Sequence, residues 1–475
     1  MENEAIISGL AAIVGQDKVI LEDSAIKEAS KDYIGFRRYE RDDGVFDVPK
    51  ALCVVKVKNA QEVSRVLRFL NDNKVKITPR TGGSSVTMGI EPVAGAVMLD
   101  GSEMNEIIEI NEVDMQVTAR CGTPLQYLEN HLNKMGYTTG HSPQSLPLAQ
   151  MGGLVATRSI GQFSTLYGGI EDLLVGLEAV LADGEVVRIK NVPRRSVGPD
   201  MRALFLGCEG TLGFITEVTV KIFKYKPEER WMCAYQIDDM QKGLEAIREI
   251  MAEGYRPAVV RLHDPIEVEL LFNAVTEPGK ALLLFLAEGP GSITAPTGEA
   301  VDTIVKKYGA SSLGTKPVES WLEHRNDISN ELEETSAQMY SMGICVDTCE
   351  ISASWSQIGE IYKAVCTRMP EELENLVAIG GHSSHSYMNG TNIYFQFLFQ
   401  VRGKNTVKED YMHVIRIIME ETLHRGGSIA HHHGSGKYRT AWMPEEHGSS
   451  YKLLYKLKEA LDPNEILNEG ILLVK

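Results

Sequence analysis

Val63, Val66, Leu67 and Leu70 fall at i, i+3, i+4 and i+7, so one apolar stripe runs along a predicted helix over 61–74. It follows ALCVVKVK (51–58), a predicted strand, and precedes two more, VKITP (75–79) and AVMLD (96–100). Leu125, Leu128 and Leu132 give a second helical stripe over 124–135. DLLVGLEAVLADGEVVRI reads as two strands meeting at Asp183-Gly184, a pair suited to a hairpin turn. In TEVTVKIF (216–223), Val218, Val220 and Ile222 alternate as a half-buried strand would require. Lys226-Pro227-Glu228 then closes an α/β half.

Beyond Pro227 the texture changes. Apolar runs at 281–289 (ALLLFLAEG) and 391–401 (TNIYFQFLFQV) sit among helices predicted near 241–253 and 411–424. That order predicts an antiparallel sheet with helices on one face, and an α+β class for the whole chain. GPGSITAPTGEA (289–300), rich in Gly, Pro and Thr, is expected to be an exposed loop. The opening MENEAIISGLAAIVGQDK has acids where an export signal needs bases, and reads as an amphipathic helix.

Composition narrows the function classes. The 475 residues are 43% hydrophobic and 24% charged, as expected of a globular chain with a large core. A net charge of −17 argues against a nucleic-acid partner. No stretch reaches 18 apolar residues, so no membrane span is expected, and the ending LLVK is not a peroxisomal address. A cytoplasmic location is expected. The seven cysteines include no C-x-x-C pair; Cys345 and Cys349 are four apart with no second pair to complete a zinc site. Free thiols are expected.

Three stretches concentrate small residues at strand ends. PRTGGSSVTMG (79–89) can bend tightly and turn several N–H groups into one concavity, which suits a diphosphate. It lacks the G-x-G-x-x-G order, which disfavours a Rossmann site. HSPQSLPLAQMGGLVATRSIGQFSTLYGG (141–169) and GCEGTLGFIT (207–216) share its character. Their few charges imply a long ligand held by backbone groups.

Together with YGGIEDLLVGLEAVLADGEVV, these loops resemble the FAD domain of the vanillyl-alcohol oxidase and p-cresol methylhydroxylase superfamily. GGSIAHHHGSGKYRTAW and LDPNEILNEGILL resemble the C-terminal domain of FAD-linked oxidases. Within that group HHH and SYMNGTNIYF are most similar to the alkyl-dihydroxyacetone-phosphate synthase branch and its bacterial dehydrogenase relatives. The resemblance implies an N-terminal helical segment (1–45), a two-subdomain PCMH-type FAD domain (46–227) and a cap domain (228–475). The last ~45 residues would pack back on the FAD domain. Pro79, Arg80, Thr81, Gly82, Gly83, Ser84 and Ser85 would hold the diphosphate of one FAD. Pro143, Gln144, Ser145, Leu146 and Ala149, with Gly152, Gly153, Ala156, Thr157, Arg158 and Ser159, would line the isoalloxazine and ribityl side. Glu209, Gly210, Gly213 and Ile215 would run along the adenine end. Because the first loop offers serines where some relatives attach flavin, noncovalent FAD is expected, with Cys121 and His141 as the alternative attachment points.

His431, His432 and His433, followed by Gly434 and Gly436, are the most distinctive chemical run, and imidazoles suit proton transfer near neutrality. GSGKY is not a P-loop, since His431 and Tyr438 stand where Gly and Ser or Thr belong. By the resemblance this run lies over the flavin, and Tyr394 matches an acid/base tyrosine. In dehydrogenase relatives two histidines and a glutamate hold a divalent metal. Here Tyr394 stands for one histidine and His432 for the glutamate, with His385 left as a first ligand. Two histidines and a phenol make a poor hard-metal site, so no metal is expected, with His385 and His432 as the alternative ligands. His382 is expected to act only through its neighbours. The synthase branch also carries a phosphate-binding arginine. The matching stretch here, SNELEETSAQMY (329–340), has none, and Arg325 is the nearest. A substrate without phosphate is therefore favoured: a 2-hydroxy acid, polyol or sugar derivative oxidised at CH–OH, with Arg402, Lys437 or Arg439 holding it. Electrons would go to a separate acceptor such as an electron-transfer flavoprotein, and a homodimer is compatible with the sequence. The alternatives are a redox-neutral FAD-dependent transferase and a flavin-bearing electron-relay subunit.

Overall fold

The computed structural model describes residues 3–42, 48–272, 275–327, 338–339, 341–403 and 406–474, so SNELEETSAQMY lies almost wholly outside the described residues. Helix Asn3–Val14 buries Ile6 and Leu10 against helix Ala60–Asp72, whose Val63, Val66, Leu67 and Leu70 are fully buried. The Asn59 side chain caps that helix by accepting from the Glu62 N–H at 2.9 Å. Beneath it lies a four-stranded sheet in the order Val19–Ile20, Cys53–Lys56, Val97–Asp100, Ile77–Arg80, parallel except for the first pair. Residues near the C-terminus extend this sheet: Ile77 N–H donates to Ile466 O at 2.7 Å and Asn468 N–H to Ile77 O at 2.8 Å.

A second, antiparallel sheet runs Ile107–Asn111, Gln116–Arg120, Phe214–Lys221, Leu174–Val180, Val186–Ile189. Its central strand Phe214–Lys221 is buried on both faces, where alternation had suggested one. The polar face stays inside because its groups pair across the sheet. Thr219 meets the Thr118 hydroxyl at 2.8 Å, and Arg188 reaches Glu217 at 2.6 Å.

The C-terminal half is built on seven antiparallel strands, in the order Ser311–Gly314, Trp231–Ile237, Ala281–Ala287, Val259–His263, Leu376–Ser383, Gly390–Gln400, Ile344–Ser354. Helices cover both faces, not the one expected. Leu283 and Phe285 join the core under the long helices Met240–Ala252, Gly291–Lys307, Trp355–Glu372 and Val407–His424. Leu282, Leu284 and Leu286 point the other way, to Val268 and Val318 of two short helices and to Phe163 of the N-terminal half. Two covered faces explain the unbroken apolar run of this strand. The segment read as an exposed loop, 289–300, instead forms most of helix Gly291–Lys307. Its small residues serve packing: a Cβ on Gly298 would lie 2.4 Å from the Trp231 indole. Thr294 Oγ1 donates to Glu229 O at 2.7 Å.

Candidate active site

A cavity of about 1510 Å³ lies between these layers. One wall is built from loops rich in Gly and Ser. Pro79, Arg80, Thr81, Gly82, Gly83, Ser84 and Ser85 line it, with Pro143, Gln144, Ser145, Ala149, Gly152, Gly153, Ala156, Thr157 and Ser159, then Glu209, Gly210, Gly213 and Ile215. Two residues of the expected set do not line the cavity. Leu146 turns into the core beside Leu125 and Leu128, and Arg158 pairs with Glu171 at 3.2 Å.

The wall has the chemistry of a long anionic ligand's cradle. A Cβ on Gly82 would meet Leu148 O at 2.2 Å, and Gly83 has φ +69°. The lining residues Arg80, Gln150 and Gln162 each keep a buried polar atom (Nε, Oε1 and Oε1) with no partner among the described residues. An extended dinucleotide offers acceptors and donors for such atoms. Cys121 and His141 are buried away from the cavity: a Cβ on Gly152 would meet Cys121, and His141 Nε2 lies 3.2 Å from Ser159 Oγ.

The opposite wall is made of ionisable side chains. Tyr394 and Glu350 are register partners on neighbouring strands, and the histidine run crosses beside them. Tyr394 Oη lies 3.2 Å from His433 Nε2. His433 Nδ1 lies 2.8 Å from Glu350 Oε2, and Arg439 donates to the same oxygen at 2.7 Å. Backbone N–H groups of His432 and His433 donate to Glu350 Oε1 at 3.2 and 2.9 Å. Burial alone would raise Glu350, but Arg439 and His433 outweigh it and hold the carboxylate well below its usual range. Burial pushes the Tyr394 phenol up, so it carries its proton at neutral pH. Glu209 ties this run to the opposite wall by accepting Ser435 and Gly436 N–H at 2.7 and 2.9 Å.

His385 and His432 line the cavity as well, while His431 stands behind them, bonded to the Tyr387 hydroxyl at 2.7 Å and to His432 at 2.8 Å. Nitrogens of His385, His431 and His432 lie within 4.8 Å of one another. Burial lowers all three, His431 to about 4, so they stand neutral at pH 7. His385 is further held by the Ser164 hydroxyl at 2.8 Å.

The cations expected to hold substrate are engaged elsewhere. Arg402, just past strand Gly390–Gln400, pairs with Asp410 of the helix that follows, and Lys437 donates to Glu91 O at 2.5 Å. Fully buried Arg439 serves Glu350. In their place Arg261 and Arg325 line the cavity, neither in an ion pair among the described residues. Sequence reading missed Glu350, although an acid at an inward position of ICVDTCEISAS is itself a signal that a buried partner exists.

Residues 51–190 match the FAD binding domain family, and residues 226–472 match the family of FAD linked oxidases, C-terminal domain. The chain belongs to the FAD-linked oxidases. An uncharacterized FAD-linked oxidoreductase of Escherichia coli K12, YgcU, is 47% identical over 99% of this chain and 98% of its own length. Alkyldihydroxyacetonephosphate synthase of Dictyostelium discoideum is 28% identical over 86% of this chain and 71% of its own. A solved alkyldihydroxyacetonephosphate synthase structure superposes with a TM-score of 0.81 at 23% identity, covering 98% of this chain and 85% of that one. FAD is thus the cofactor of this family, and the cavity fits it. No helix among the described residues is long and apolar enough to cross a membrane.

Proposed function

We propose that the chain oxidises a small hydroxylated substrate at CH–OH, using noncovalent FAD and passing the electrons to a separate acceptor such as an electron-transfer flavoprotein. When bound, FAD supplies the two-electron acceptor for the carbinol C–H. The observation that carries the reading is the chain Tyr394–His433–Glu350–Arg439, which starts on the cavity wall and runs back into the buried interior. A protonated phenol accepts the hydroxyl proton only by handing its own onward. His433 Nε2 stands 3.2 Å away to receive it, and Glu350 stabilises the imidazolium that results. Tyr394 and His433 thus carry the acid–base role, with His432 lining the cavity beside them and His431 behind it. Two observations support noncovalent attachment, namely serines in the first loop and the shielding of Cys121 and His141.

A redox-neutral transferase is the second reading. It is favoured by the synthase relative and by the two cavity arginines, Arg261 and Arg325, which could hold an anionic head group. One anaerobic experiment separates the readings. Small alcohols and hydroxy acids are screened for flavin bleaching, and the bleached enzyme is offered an electron acceptor or an alcohol nucleophile. Colour returning with the acceptor supports oxidation; colour returning only with the nucleophile overturns it. Acid or heat should release the flavin, whereas yellow denatured polypeptide would show covalent attachment.

A further inference from the structure

The proton path above leaves a second buried chain unused: Arg261, His263, Glu267 and His382. His263 and His382 are register partners on strands Val259–His263 and Leu376–Ser383, and Glu267 lies one helical turn beyond His263. Arg261 Nε donates to His263 Nε2 at 3.2 Å. That bond needs a lone pair on Nε2, so neutral His263 carries its proton on Nδ1 and donates it to Glu267 Oε2 at 2.7 Å. The other oxygen, Oε1, accepts from His382 Nδ1 at 2.7 Å. Each Glu267 oxygen thus faces one imidazole Nδ1, the arrangement of a carboxylate that accepts an N–H at both oxygens. His382, lowered by burial, is therefore the neutral Nδ1–H tautomer with its lone pair on Nε2. Nε2 has no hydrogen-bond partner among the described residues, and His382 lines the cavity. Its ring stacks on Tyr394 with centroids 4.9 Å apart and planes 14° apart.

The ligand-type atoms of His263, Glu267 and His382 lie within 4.8 Å of one another, a spacing compatible with a metal. A metal on His263 Nδ1 would need the lone pair there, and the Arg261 donor assigns it to Nε2 instead.

We propose that His382 Nε2 is a fixed acceptor for a second substrate hydroxyl beside the reacting carbinol, so that the substrate is polyhydroxylated there, a vicinal diol or longer polyol. This rests on the oxidation reading above. The carbinol has one O–H proton, and that proton goes to Tyr394. An acceptor on a ring that is stacked against Tyr394 and lines the same cavity therefore needs another O–H. A substrate lacking it would leave His382 without a partner, which costs binding. Glu267 is the positioning residue, since it fixes which nitrogen of His382 faces the substrate.

Two measurements test this. The first is ¹⁵N NMR of histidine-labelled holoprotein at neutral pH, with the His382 signals assigned by their loss in His382→Phe. The expected spectrum has Nδ1 protonated and Nε2 bare, and Glu267→Gln should disturb it. A protonated Nε2, or a metal on Nδ1 that a chelator removes, overturns the proposal. The second is anaerobic flavin reduction by matched pairs: glycerate against lactate, and propane-1,2-diol against propan-2-ol, with each chiral compound tested in both hands. The diol partner should be favoured at least ~100-fold in kcat/KM, and the preference should collapse, mainly through KM, in His382→Phe and in His382→Asn. Equal reduction by both partners, or a preference that survives both variants, overturns it. If no partner bleaches the flavin, the oxidation reading fails instead, and the NMR result decides the acceptor by itself.

Discussion

The two walls of the cavity are built on opposite principles. On the glycine-rich wall what matters is the side chain that is missing: a Cβ on Gly82 would meet Leu148 O, and one on Gly83 the Arg80 guanidinium. On the opposite wall the working atoms are charged or titratable side chains held out of water, each fixed by a partner far along the chain, as His433 is by Glu350. A backbone cradle tolerates change in what surrounds it but not in its own bulk. A buried charge network tolerates little change anywhere, because removing one member strands another.

The largest effect should come from filling the cradle. Gly83→Trp drives an indole against the Arg80 guanidinium in the loop proposed to hold the diphosphate, from a left-handed backbone that disfavours any side chain. The purified variant should be colourless by absorbance, with no flavin released by acid. Full FAD occupancy would show that this loop does not hold the cofactor.

Arg439→Met tests the other wall. It leaves Glu350 buried with only His433 and two backbone N–H groups. Denaturant unfolding should report a loss of about 3–5 kcal/mol. Adding Glu350→Leu should restore part of it, because no charge then remains uncompensated. A single variant as stable as wild type would mean that the pair does not hold this wall together.

Within the same wall, Tyr394→Phe should slow flavin reduction by a competent substrate on the order of 100-fold, with FAD content unchanged. His433→Asn should cost about as much. The double variant should be little worse than either, since both residues serve one proton path. Multiplicative losses in stopped-flow reduction would instead give the two residues separate roles.

The same contrast decides how far the sequence could be read. Backbone loops leave a compositional trace, so nearly every expected cofactor residue lines the cavity; Leu146 and Arg158 do not, because residue type does not say which way a loop residue turns. The histidine run was conspicuous, but its partners were not. Glu350 stands 83 positions from His433, and Arg439, a substrate cation by its place in the sequence, is buried on Glu350, Gly434 O and Cys349. His382 drew little notice because its chemistry depends on Glu267, 115 positions away. In the fold, Gly and Pro signalled a loop at 289–300, yet Gly298 is small so that a helix can approach Trp231. Local pattern gives element type; which neighbour claims a side chain is a property of the assembled layers.

The smallest expected effect concerns the contact that joins the walls. Burial pushes Glu209 up to about 7 from an ordinary 4.5, against the opposing pull of the Ser435 and Gly436 N–H groups and Arg439. Between those values the folded chain holds a proton that the unfolded chain has released. Stability must therefore fall as pH rises through this window, by a ceiling of about 3 kcal/mol. The relative stabilisation is fully present below 4.5 and lost above 7. Glu209→Gln removes the titration, so its unfolding free energy should decline less than that of the wild type between pH 5 and 8. Gln still offers one oxygen to the two N–H groups, so the variant should fold and keep FAD, with some loosening of the histidine loop. Denaturant midpoints of both proteins across that range give the comparison. Parallel pH profiles would show that Glu209 is ionised throughout, and that the backbone donors outweigh burial at the seam between the two walls.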